Sequence, residues 1–401
     1  MTELSRRNLL RIGTTAGALG VLGAITPKRA WAWAPSGSIA GTGYGTDPAL
    51  VWDTDADTVV AQLYADGLVD TVNTLLEPWS TNNQALPGGL PSYLVDFIEK
   101  ARQLPTWADA GKLAAAADFY KTRGQYLGLL YGLGSGMMST AIPNEARAVY
   151  YSQGGADMKS RIAKTSKLGY DVGGLNAYQP TGSMIVTAVK TRLVHAAIRH
   201  LLPQSPYYPS NKTPISQADL LVTWHSLATY SMGELVAWKV PITAAHSDGF
   251  LHLWQVTAHL LGIQDEYIPA TWADANSQRT QALDPILAGT SEGIKLAQIL
   301  VQLAADAGAG LPKDAVCAMT RYLITDRVAD MVEIPQETYW EQAVAGGWPG
   351  YIKFRETGIS TGLVPSDLYW LFDEFIRQGV LFYFDDGKPI YITMPSGNRT
   401  F

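Results

Sequence analysis

The stretch Thr191-Arg192-Leu193-Val194-His195-Ala196-Ala197-Ile198-Arg199-His200 decides how the chain is read. It lies in a helical pattern running from Thr181 to Leu202, and Pro203 stops it. Arg192, His195 and Arg199 fall at i, i+3 and i+7, so they share one helix face. A neutral imidazole between two guanidinium groups is an odd thing to pack against an apolar core. It suits a face that meets a buried object needing a nitrogen ligand and carrying anionic groups. A haem with two propionates is such an object. His200 stands roughly 140° round the helix from His195 and is a candidate for a supporting or propionate contact.

Two further polar clusters precede this helix. Arg161, Lys164 and Thr165 are spaced i, i+3, i+4 and form one face. The ordinary alternative is a solvated helix surface. The functional reading is the far wall of a cofactor pocket, where a threonine hydroxyl bonds dioxygen and Arg161 keeps a carboxylate in place and ionised. A lysine whose pKa is lowered by burial could ligate iron when substrate is absent. Glu145 follows Pro143-Asn144 at a helix start. It is either a first-turn glutamate favoured by the helix dipole or a general base beside an apolar substrate. His252 and His259 share a face with Trp254 and read as core or supporting residues; His225 and His246 have no partner legible in the sequence.

The N-terminus reads as a leader. Ser5-Arg6-Arg7-Asn8-Leu9-Leu10 is a twin-arginine pattern, a weakly apolar stretch runs from Ile12 to Ile25, and Ala30-Trp31-Ala32 offers a cleavage site. An ordinary secretory leader is the alternative. Cleavage there would leave 25 basic against 35 acidic residues, a net charge of −10. That balance argues against nucleic acid or an anionic membrane as partner. Later apolar runs are broken by charge or glycine, so no spanning helix is expected. Only 16% of residues are charged, and twelve Trp and twenty Tyr add apolar surface, enough for a large core with an apolar cavity. Cys317 is the one cysteine, which rules out an intramolecular disulfide, an all-cysteine iron–sulfur site and thioether-linked haem. It is expected to be a buried small hydrophobe.

The expected fold is mostly α. Helices are expected from Leu94, opened by Pro91-Ser92, as a pair between Trp107 and Leu133, from near Pro143, from Asp157 to Leu168, from Ser216 to Trp238 with a capping box, and from His252 to Leu261. Three more are expected over Thr290 to Ala305, Leu311 to Met331 and Ser366 to Arg377. A β-hairpin is expected from Val380–Phe384 and Pro389–Ile392 around Asp386-Gly387. Residues 33–57 read as an extended arm, and 33–401 as one domain. Dinucleotide-loop, Walker A, nucleophile-elbow and zinc signatures are missing, which weakens nucleotide and hydrolase readings.

Ile142-Pro143-Asn144-Glu145-Ala146-Arg147, Arg161-Ile162-Ala163-Lys164-Thr165 and the His195 stretch, together with the leader, resemble the latex clearing proteins, secreted haem-containing rubber oxygenases of actinobacteria. The resemblance runs on through Trp254 and Leu260-Leu261-Gly262-Ile263. It implies a globin-like core over about 115–310, a C-terminal extension over 311–401, and one noncovalent b-type haem. It implies endo-cleavage of poly(cis-1,4-isoprene) by dioxygen to oligomers with aldehyde and ketone ends. His195 then matches the iron ligand, Glu145 the base, Arg161 its partner, Lys164 and Thr165 the distal pocket, and Arg192, Arg199 and His200 positions near the haem. A monomer acting on a hydrophobic polymer is expected. Two alternatives stay open: a peroxidase-like haem oxidase of small apolar metabolites, and a noncatalytic extracellular haem or lipid carrier. A zinc hydrolase built on His252 and His259 is more distant.

Overall fold

The computed structural model describes residues 31–32, 37–209, 212–308, 311–362 and 365–401. The twin-arginine pattern and most of the leader lie outside the described residues, as do residues 33–36 of the arm. The chain is overwhelmingly helical, with a two-residue antiparallel pairing of Trp31–Ala32 with Tyr44–Gly45. No helix among the described residues is long and apolar enough to cross a membrane.

The His195 helix is the centre of the construction. The first helices are α1 (Thr54–Ala65), α2 (Val69–Leu76) and α3 (Ser92–Ala101); α4 spans Ala110–Leu129 and α5 Gly136–Thr140. They are followed by α6 (Pro143–Tyr151), α7 (Met158–Asp171) and α8 (Met184–Leu201), which carries His195. One side of α8 contributes Val186, Val189, Leu193, Ala196 and Ala197 to a core shared with α1, α2 and α3. Met184, Ile185 and Ala188 join the larger core instead. A helix apolar on most sides is buried on most sides.

Polar groups fix where α8 begins and how it is turned. Ser183 gives α8 no side-chain cap. Buried Asn82 does the work: its Oδ1 accepts from Ile185 N at 3.0 Å, and its Nδ2 donates to Ala177 O and Gln179 O at 2.8 and 2.6 Å. Lys190 Nζ donates to Leu76 O and Trp79 O at 2.6 and 2.8 Å, so a buried ammonium caps the carbonyl end of α2. Burial pulls Lys190 down to about 8. Arg192 grips Asp53, the N-cap of α1, through Nε at 2.5 Å and Nη2 at 2.8 Å. Arg199 Nε donates to Asp57 Oδ1 one turn further along α1, at 2.6 Å.

The larger core is built on α4 and α11 (Ala244–Leu260). Gly249 is the contact that lets them close: a Cβ there would lie 2.7 Å from Lys112 O and 2.8 Å from Ala116 N. Between them in sequence come α9 (Gln217–Trp224) and α10 (Tyr230–Ala237), and beyond them α12 (Trp272–Ala282), α13 (Ser291–Ala307), α14 (Lys313–Met331), α15 (Thr338–Thr361) and α16 (Ser366–Phe384). The expected capping box at Ser216 and Asp219 is present at the start of α9. Cys317 is buried on α14, as expected.

Several expectations need correction. Val380–Phe384 is the last part of α16, not a strand, so the C-terminal hairpin does not form. The run is apolar and aromatic throughout, which a helix accommodates as well as a strand, and Asp386 and Gly387, both at positive φ, make the turn that follows the helix. The two helices expected between Trp107 and Leu133 are one. Gly132, Gly134 and Gly136 do not stop it; the backbone widens into a π-helical turn over Leu130–Ser135 and continues. A second π turn, His225–Thr229, interrupts the expected Ser216–Trp238 helix, and Ser135 Oγ meets Ser226 Oγ across the two at 2.9 Å. The arm is shorter than expected, since α1 starts at Thr54.

The C-terminal tail crosses back over the N-terminal helices. Met394 N donates to Asn73 Oδ1 and Asn73 Nδ2 to Met394 O, both at 2.9 Å. Tyr64 bonds Pro395 O, Asn398 Nδ2 donates to Leu201 O at 2.7 Å, and Arg399 N donates to Tyr151 O at 3.1 Å. The Arg192–Asp53 pair is buried and bidentate, so removing one partner strands the other. Asp53→Ala is expected to lower stability by about 3 kcal/mol, read from denaturant melting. A loss below about 0.5 kcal/mol, typical of surface changes, would contradict the clamp.

Candidate active site

Glu145 is the third residue of α6, whose first turn is set by Pro143. The N-terminus of α6 docks on the N-terminus of α9, where Asn144 Nδ2 donates to Asp219 Oδ1 at 3.1 Å. One turn further along α9, the Thr223 hydroxyl lies on Glu145 Oε1 and within 3.2 Å of Asp219 O, so its single proton serves two acceptors. Burial pushes Glu145 up to about 7, against the Thr223 hydrogen bond and the Arg161 charge, which favour the ionised form; nearby Asp219 adds to the rise. A carboxyl poised near neutrality suits proton transfer at physiological pH.

Arg161 lies on the face of α7 turned toward Glu145. Its guanidinium packs on Gly154, where a Cβ would sit 3.1 Å from Nη1. Burial pulls Arg161 down to about 10, opposed by Glu145. Burial, with the positive fields of Arg199 and Arg161, holds His195 at about 3. The imidazole is therefore neutral throughout the working pH range. Its buried Nδ1 has no hydrogen-bond partner. The structure thus gathers Glu145, Arg161 and His195 into one electrostatically coupled group from α6, α7 and α8.

The remaining sequence candidates divide. Lys164 Nζ donates to Thr393 Oγ1 of the tail at 3.3 Å, and burial lowers its pKa while Asp157 and Asp385 oppose this. Thr165, one residue on, is exposed. Arg192 pairs with Asp53 through Nε and Nη2, which seats α8 on α1. His200 stacks on Tyr64 with ring centroids 4.5 Å apart and planes at 10°, a packing contact on the α1 side. Arg199 keeps one buried nitrogen, Nη2, without a partner.

The histidines off α8 are hydrogen-bonded. His225 bonds Thr229 Oγ1 and Gln278 Oε1 at 2.9 and 2.7 Å. His252 Nε2 accepts from Asp109 N at 2.8 Å, His259 Nδ1 meets Asp265 Oδ1 at 2.7 Å, and His246 Nε2 meets Asp118 Oδ2 at 3.0 Å. Among the described residues, no group of three or more His, Cys, Asp or Glu is arranged to hold a metal ion. The zinc-hydrolase alternative therefore has no ligand set there. Sequence reading missed Thr223, Gly154 and Thr393. Thr223 lies 78 positions from Glu145, and nothing in the sequence ties the two.

Comparison with known proteins first gives the class. A family model described as "ER-bound oxygenase mpaB/B'/Rubber oxygenase, catalytic domain" matches residues 120–353, making the protein an oxygenase. The chain is 52% identical, over the full length of both, to a rubber oxygenase of Streptomyces sp. (strain K30). A solved structure described as latex clearing protein LCP in the closed state superposes with a TM-score of 0.82 at 52% identity, covering 91% of this chain and 100% of that one. The chain belongs to the rubber oxygenase family.

The Thr223 bond can be tested on the carboxyl itself. In Thr223→Val the bond that favours the ionised form is lost, so the midpoint near 7 moves to higher pH. The infrared band of the protonated carboxyl, assigned by its loss in Glu145→Gln, follows the midpoint. An unmoved midpoint would show that the hydroxyl does not tune Glu145.

Proposed function

We propose that the protein is a secreted, haem-dependent dioxygenase that cleaves poly(cis-1,4-isoprene) within the chain, giving oligo-isoprenoids with one aldehyde and one ketone end. The observation that carries this reading is the neutral His195 imidazole, buried and without a hydrogen-bond partner at Nδ1, beside the coupled Arg161–Glu145 pair. A lone neutral imidazole fits a metal that brings its own ring of ligands, and haem b does so. His195 would hold the iron. Arg199, with Nη2 free, would bind a propionate, while Arg192 and His200 support α8 from the α1 side. When bound, haem b supplies reduction and activation of dioxygen.

The chain's own residues do the rest. A hydrocarbon polymer gives no charge to grip, so apolar burial must position it. Glu145, ionised above about pH 7, takes an allylic proton beside the double bond. Arg161 keeps that carboxylate oriented and favours its charged form. Thr223 holds Oε1 and leaves the other carboxylate oxygen for the substrate. Lys164 and Thr165 belong to the distal side of the pocket in this reading, with Lys164 tethered to the tail at Thr393. The same reading takes residues 33–401 as one mature monomeric domain exported by the twin-arginine route, with a globin-like core over about 115–310.

Two outcomes test it. His195→Ala is expected to purify without haem, and a normal Soret band in that variant would reject the ligand. Glu145→Ala is expected to keep haem and lose about 10²–10⁴ in latex cleavage, scored by aldehyde release; unchanged turnover would remove Glu145 from the chemistry. Wild-type activity should rise with pH through about 7, because the base works as the carboxylate. Colourless, iron-free folded protein would overturn the whole reading.

A further inference from the structure

α16 is amphipathic with its apolar side outward. Leu368, Leu371, Phe372, Phe375, Ile376 and Phe382 are all exposed, Phe375 by 77% and Phe382 by 69%. They cover an arc of roughly 140° at 100° per residue. The charged residues Asp367, Asp373, Glu374 and Arg377 occupy the opposite side. A helix on the surface of a water-soluble protein normally turns its charges out and its hydrocarbon in.

Ion pairs fix this orientation. Arg355 of α15 bonds Asp373 at 2.7 Å, with both side chains buried. Asp373 Oδ2 also accepts from Gln125 N of α4 at 3.0 Å. Lys121 of α4 pairs with Asp367, and Arg123 of α4 pairs with Glu356 of α15 at 2.5 Å. Rolling α16 over would break the bonds of Asp373 and Asp367, so the aromatic side faces out because the polar side is anchored.

Phe375 and Phe382 border a groove of about 1000 Å³ whose other wall includes Lys167 and Tyr170 of α7, the helix that carries Arg161 and Lys164.

We propose that the outward face of α16 is the surface by which the enzyme adsorbs to solid polyisoprene, with the groove beneath leading polymer toward α7. This rests on the substrate reading above. Charge selects the occupant. The face presents no charged side chain, and the polymer offers neither charge nor hydrogen-bonding groups, so apolar burial is the attraction available to both. An anionic lipid surface would call for a basic rim. Here Lys121 is paired with Asp367, Arg377 with Glu374 and Lys167 with Asp171, which leaves Lys388 as the remaining cation on the groove wall, too few for a basic rim, in a chain of net charge −6.

The test is sedimentation of purified full-length protein with washed latex particles, with bound protein measured directly. The variant carries Leu371→Ser, Phe372→Ser, Phe375→Ser and Phe382→Ser. It should melt like wild type and bind about tenfold less, and wild-type binding should persist in about 1 M salt. If four changes disturb folding, Phe372→Ser with Phe375→Ser should show about threefold loss. Wild-type adsorption by a well-folded variant overturns the proposal. So does a wild-type dimer that the variant dissolves while adsorption stays the same, or wild-type binding to phosphatidylcholine vesicles but not to latex. The two readings separate on product: wild type that adsorbs through this face and releases no aldehyde-ended oligomers upholds the surface and refutes the catalytic reading.

Discussion

The structure depends on how α8 is held. Its carboxylate clamp to α1, Arg192 on Asp53 and Arg199 on Asp57, takes up positive charge on one side of the helix. His195, on the same helix, is left with a partnerless buried nitrogen. Without the carboxylates, two guanidinium groups two turns apart on one helix face would lose their anionic partners where water is scarce, a costly arrangement. With them, α8 is seated to within a hydrogen bond at Asn82, Lys190 and the clamp. An imidazole held this rigidly loses little entropy on taking a ligand.

The site then follows from three helix ends meeting. Glu145 stands in the first turn of α6, where the helix field favours a carboxylate, yet burial outweighs that field and leaves the acid poised near neutrality. Arg161 pays part of the desolvation cost from α7, and Thr223 adds a hydrogen bond from α9. Arg161 acts on both the acid and the imidazole, favouring the charged carboxylate and the neutral ring.

Residues with strong local rules were legible in the sequence. The α8 helix was readable from its periodicity and from Pro203, α9 from its capping box, and α3 from Pro91-Ser92. Glu145, Arg161 and His195 were readable as candidates because unlike charges in apolar helices are rare, and the family resemblance supplied their grouping. Elements whose form depends on distant packing were not legible. Val380–Phe384 is a short apolar and aromatic run before Asp386-Gly387, which fits a strand as well as a helix, but it continues a helix whose earlier turns are pinned by the ion pairs of α15 and α4 with Asp373 and Asp367. The π turn at Leu130–Ser135 replaces the helix stop that its glycines suggest, with Gly134 pressed against the Tyr230 ring. The partners of Arg192 and Arg199 lay more than a hundred residues upstream, in a segment read as an extended arm.

The tail has a consequence for how the protein is made. Residues 393–399 are synthesised after the helices they brace, yet they bind Asn73 and Tyr64 near the other end of the chain and hold Leu201 at the foot of α8. The seat of the imidazole helix is thus completed by residues that leave the ribosome long after that helix itself. A nascent chain short of those residues lacks that brace, and any tag joined after Phe401 begins beside α6, against Tyr150 and Tyr151, rather than in open solvent.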